Sequence, residues 1–92
     1  MHEAGQAREA ETHYRLALAA KPRHATAAFN LGVALEDLGR ADDAVRAYEQ
    51  ALSTDPGNAD AHYNAARLYE RDGRKAAAFR HLKAYRALLR RA

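Results

Sequence analysis

Five histidines, His2, His13, His24, His62 and His81, are the residues of this chain with the most obvious chemical reach. On one helix a metal-binding pair wants two of them four residues apart, and no two stand at that spacing. The adjacent carboxylates Glu36-Asp37 and Asp42-Asp43 would suit acid–base chemistry if they converged on one cleft. Neighbours in sequence leave a helix on different sides, so they read instead as dipole and solvent residues. Ser53 has neither a base nor nucleophile-elbow glycines beside it. The turns LGR at 38–40 and DGR at 72–74 are too short to cradle a phosphate, which needs a longer glycine-rich run ending in lysine. With no cysteine there is no thiolate nucleophile, no disulfide framework and no cysteine-based zinc site. Enzyme activity is not expected, nor any metal or cofactor. Recognition is the remaining chemistry.

The elements that would carry it repeat. Gly5, Gly39 and Gly73 stand thirty-four residues apart, as do Ala10, Ala44 and Ala78. The same shift superposes Pro22 on Pro56, Tyr14 on Tyr48, Ala17 on Ala51, Leu18 on Leu52 and Asn30 on Asn64. A fixed period of this length marks a solenoid, in which each supersecondary unit buries its apolar face only against its neighbours.

Apolar residues spaced by three and four predict five helices. The first runs from about Glu3 to Ala20 with Ala7, Ala10, Tyr14, Ala17 and Leu18 on one stripe, and Lys21-Pro22 ends it. The second spans Ala25 to Leu38 with Phe29, Leu31, Ala34, Leu35 and Leu38 for burial, and Gly39 supplies the left-handed residue beyond it. The third, Asp42 to Ser53, turns Ala44, Tyr48, Ala51 and Leu52 inward. Asn58 is a natural cap for the fourth, Ala59 to Asp72, whose inward residues are Ala61, His62, Ala65, Leu68 and Tyr69. The fifth begins near Arg74 with Ala78, Leu82, Tyr85 and Leu89 as its stripe and Phe79 and Leu88 beside it. Connections this short force antiparallel neighbours. Gly32 lies mid-helix, where glycine costs about 1 kcal/mol relative to alanine, so something must approach the backbone closely there.

The unit at 25–58 resembles the tetratricopeptide repeat, whose pattern W-x2-L-G-x2-Y, A-x3-F, P is met by Ala28, Leu31-Gly32, Leu35, Ala44, Tyr48 and Pro56. Spacing is kept although the leading Trp and the Tyr are replaced. Residues 1–24 resemble the trailing half of a unit, and 59–92 a full unit with an extended capping helix, in which Ala66 replaces the glycine and Arg90 the closing proline. The resemblance implies one all-α domain over 1–92, a right-handed α-solenoid of antiparallel helix pairs. His62 then occupies a large-aromatic slot and is expected to pack. In such a stack the leading helices line the concave surface. That would place Phe29, Asn30, Val33 and Asp37 on one inner stripe and Tyr63, Asn64, Arg67 and Arg71 on the next. In the family, asparagine at the positions of Asn30 and Asn64 commonly bonds the backbone of an extended peptide, since an amide both donates and accepts. Arg67 and Arg71 would pair a carboxylate. The chaperone-tail-binding members carry Lys and Asn where this chain has Phe29 and Val33, or Lys and Arg where it has Asp60 and Asn64, so that ligand is not expected.

Net charge is +3 but uneven: residues 1–58 hold six Lys/Arg against nine Asp/Glu, residues 59–92 nine against three. The basic end suits an acidic partner, nucleic acid or a cap helix solvated by arginines. A protein or peptide ligand is the expected partner, with a homodimer as a further option, nucleic acid disfavoured and no membrane contact. Alternatives of another class are a regulatory or nucleic-acid-associated accessory segment and a self-association scaffold. No apolar run approaches a membrane span or a signal-peptide core. A cytoplasmic setting is expected, and the alanine- and arginine-rich composition suggests a bacterial source.

Overall fold

The computed structural model describes residues 4–91. Among them five helices follow in order: α1 Ala4–Ala20, α2 Ala25–Asp37, α3 Ala41–Thr54, α4 Ala59–Arg71 and α5 Lys75–Arg91. The expected start of the first helix at Glu3 lies outside the described residues. Each helix packs chiefly on the next, α1 on α2, α2 on α3, α3 on α4 and α4 on α5. The Cα radius of gyration is 13.1 Å, against about 12 Å for an equally long compact chain. The fold is an all-α helical repeat, a stack rather than a ball.

The repeated punctuation explains where the helices stop. Gly39 and Gly73 take φ of 76° and 78°, the left-handed region that a side chain resists. Both close Schellman motifs: Gly39 N–H donates to the Glu36 carbonyl and Arg40 N–H to that of Leu35, each at 2.9 Å. Gly73 and Arg74 repeat this on Glu70 and Tyr69. At the starts, Asn58 Oδ1 accepts from Ala61 N–H at 3.0 Å, as its residue type predicts. Thirty-four residues earlier His24 does the same through Nδ1, 3.2 Å from Ala27 N. That cap was not expected, because histidine is not an ordinary capping residue.

Small residues set the spacing between helices. Ala44, Ala51, Ala61 and Ala65 are fully buried, and Leu35 and Tyr48 are the largest side chains with essentially no exposure. Gly32 shows why a mid-helix glycine is kept. A Cβ there would lie 2.5 Å from Cε1 of the Tyr48 ring. The ring lies against the α2 backbone itself, as the sequence required.

Helix α5 departs from its expected stripe. Ala78 is buried and Leu82 and Tyr85 are half-buried, but Leu89 is 52% and Phe79 64% exposed. Among the described residues α5 packs chiefly on α4. His81 takes the buried place between Ala78 and Tyr85 instead.

Candidate interaction face

On α2, Phe29 and Asn30 are half-buried while Val33 and Asp37 face solvent. On α4, Asn64 and Arg67 are half-buried, and Tyr63 and Arg71 are exposed. Contacts bring part of this set together. The Phe29 ring lies 5.6 Å from that of Tyr48, whose hydroxyl donates to Glu36 Oε1 at 2.6 Å. Asn64 Nδ2 reaches the same hydroxyl oxygen at 3.4 Å. Arg67 Nη2 donates to both Glu36 oxygens at 2.8 Å. A polar chain thus runs Asn64, Tyr48, Glu36, Arg67 and fastens α2, α3 and α4 beneath the stripe. Burial, and then Glu36, push the Tyr48 hydroxyl well above its ordinary range, so it stays a donor.

Two expectations change here. Glu36 is no solvent carboxylate: it is half-buried and accepts from both Tyr48 and Arg67. Its register was legible, because Phe29, Gly32, Val33 and Glu36 follow the three- and four-residue steps of one helix face. Arg67 is correspondingly committed to Glu36 rather than waiting for a ligand. Asn30, by contrast, spends its amide on no hydrogen bond among the described residues. Tyr63 packs on Tyr85 of α5 with ring centroids 5.2 Å apart. Arg71 also lines an open groove between α3 and the α4–α5 turn, with Asp42, Arg46, Glu49 and Tyr69.

A second cluster was not expected. His62 Nε2 lies 2.9 Å from the Pro56 carbonyl and its Nδ1 2.9 Å from Nδ1 of His81. His81 Nε2 is 3.1 Å from Glu49 Oε2, which also accepts from the Tyr69 hydroxyl at 2.6 Å. Tyr69 stacks flat on His81, 5.6 Å between centroids. His62 does pack, as its slot requires, but it is wired as well. The missing signal was spatial: His81 falls three residues after Ala78 and four before Tyr85, inside the buried stripe.

Sequence comparison decides the family, since the description "Tetratricopeptide repeat" matches residues 37–91 and again residues 3–45. The chain belongs to the tetratricopeptide repeat family. Solved structures agree with this. The crystal structure of MamA superposes with a TM-score of 0.88 at 26% identity over 94% of this chain and 50% of that one. A MamA AMB-1 structure gives 0.81 at 32% over 90% and 49%, and a MamA MSR-1 structure 0.72 at 34% over 85% and 49%. This tetratricopeptide repeat chain therefore spans about half the length of those structures. No curated protein matches it. Repeats of this family serve generally as protein-interaction or scaffold modules, and this chain is one such module. Among the described residues no helix is long and apolar enough to cross a membrane.

Proposed function

We propose that the chain binds a protein or peptide through the face shared by α2 and α4, without catalysis. The observation that carries this reading is the built base beneath that face. Asn64, Tyr48, Glu36 and Arg67 hold three helices in register, so little ordering cost falls on the protein when a ligand docks. Above the base, Phe29, Val33 and Tyr63 offer apolar contact, Asn30 an amide with no hydrogen bond among the described residues, and Arg71 a positive charge. The ligand is an extended segment whose main chain the two asparagines bond. The units are residues 1–24, 25–58 and 59–92, and the setting is the cytoplasm of a bacterial cell, in keeping with the alanine-rich, cysteine-free composition.

A peptide array tests this. The wild-type chain is expected to retain a defined set of peptides, Asn30→Ala/Asn64→Ala to lose most of them, and Arg46→Ala on the outer side of α3 to keep them. Equal capture by all three would refute the assignment. Duplex DNA serves as the competing probe for the basic α5. Its affinity should fall by about 0.9 log unit per neutralised phosphate for each decade of salt. Only weak, sequence-independent binding is expected, gone at physiological salt; tight binding that survives there would favour the nucleic-acid reading.

Self-association is a second reading, favoured by apolar residues left open at both ends of the stack: Leu16 on α1 is 66% exposed, Phe79 and Leu89 on α5 64% and 52%. A symmetric pair would cover one such patch from both chains and close without polymerising. Light scattering coupled to gel filtration at tens of micromolar should then report a mass near twice 10.2 kDa. The monomer mass at every concentration would remove this reading and leave the peptide face untouched.

A further inference from the structure

We propose that His62 and His81 share one proton beyond the two carried by a pair of neutral imidazoles, and that this proton clamps the α4–α5 hairpin onto α3. The count follows from the acceptors. The Pro56 carbonyl can only accept, so His62 Nε2 carries hydrogen. The Glu49 carboxylate can only accept, so His81 Nε2 carries another. The two Nδ1 atoms face each other at 2.9 Å, and one of them must donate. Three hydrogens on two rings make one imidazolium, whichever ring is assigned the charge, with Glu49 as its counter-ion.

The surroundings support the arrangement. His81 is only 9% exposed. Glu49 from α3 and Tyr69 from α4 touch His81, and the charges of Arg74 in the turn before α5 and Arg80 on α5 act on Tyr69. Arg74 sits 5.9 Å over the Tyr69 ring. Burial first, then Glu49, push the Tyr69 hydroxyl up to about 12, so it donates to Glu49 across the whole neutral range. The clamp therefore joins the α3–α4 turn, α3, α4 and α5 through one transferable hydrogen.

Glu49→Gln provides the sharpest test, because His81 Nε2 and the Tyr69 hydroxyl both meet Glu49 Oε2, and an amide nitrogen in that place can donate to both. That network closes with two neutral rings. Nitrogen-15 spectra of histidine-labelled protein at neutral pH should show three protonated nitrogens across His62 and His81 in the wild type and two in the variant. His81→Gln is a second check and should lower the melting temperature by several degrees, with His13→Gln as an unaffected control. Two protonated nitrogens in the wild type, or three retained in Glu49→Gln, would overturn the proposal.

Discussion

Gly32→Leu is expected to lower the melting temperature of this chain by more than about 10 °C, and Arg46→Leu to leave it nearly unchanged. Even a single Cβ at residue 32 would meet three atoms of the Tyr48 ring at 2.5, 2.7 and 2.9 Å. The ring cannot retreat, because Tyr48 is fully buried and its hydroxyl is tied to Glu36. A leucine adds three more heavy atoms to that clash. Overpacking of this kind typically costs about 1–3 kcal/mol and here exceeds it. A domain of this size has only about 5–14 kcal/mol of total stability, and each kcal/mol moves its midpoint by about 4–8 °C. The Arg46 side chain is 72% exposed, so its replacement should stay within about 0.5 kcal/mol. Thermal unfolding followed by circular dichroism reads both, and equal melting of the two variants would mean that α2 and α3 are not paired in this way.

The second large effect is a coupling. The thirty-four-residue period carries Gly32 to Ala66 and Tyr48 to Leu82, so the second hairpin has the larger residue on one helix and the thinner one on the other. Gly32→Ala alone should be destabilising through the clash, and Tyr48→Leu alone through the lost ring volume and the lost bond to Glu36. Together they reproduce the combination that the second hairpin already carries. The double variant should therefore be less destabilised than the sum of the two, with an interaction energy of about 0.5–3 kcal/mol. The Tyr48 hydroxyl is absent from both legs that contain Tyr48→Leu, so its loss cancels from the cycle. Strict additivity in urea unfolding would show that the two residues do not share the space the structure gives them.

How much of this was legible in the sequence depends on the range of the interaction. Helix ends were readable because proline, glycine and asparagine act on their own backbones: Pro22, Gly39, Gly73 and Asn58 each do what their types dictate. The close approach at Gly32 was readable because a mid-helix glycine has a cost that only packing offsets. The polar wiring was not. Glu36 looks like any surface carboxylate until α3 and α4 fold over it, and nothing in one sequence pairs it with Arg67. His81 and Glu49 lie in different units and meet only when α5 closes against α3. Leu89, placed on the inward stripe, is exposed because a periodic stripe records which face is apolar, not whether a neighbour arrives to cover it.

A ligand segment docked on the α2–α4 face can be located by titration. A peptide retained by the wild-type array would be titrated into nitrogen-15-labelled protein, following every backbone amide and the side-chain amides of Asn30 and Asn64. The largest shifts are expected at Phe29, Asn30, Val33, Tyr63, Asn64 and Arg67, with the outer residues of α3 unmoved. Shifts centred instead on Phe79, Lys83, Arg86 and Leu89 of α5, with the Asn30 and Asn64 amides unchanged, would contradict the account.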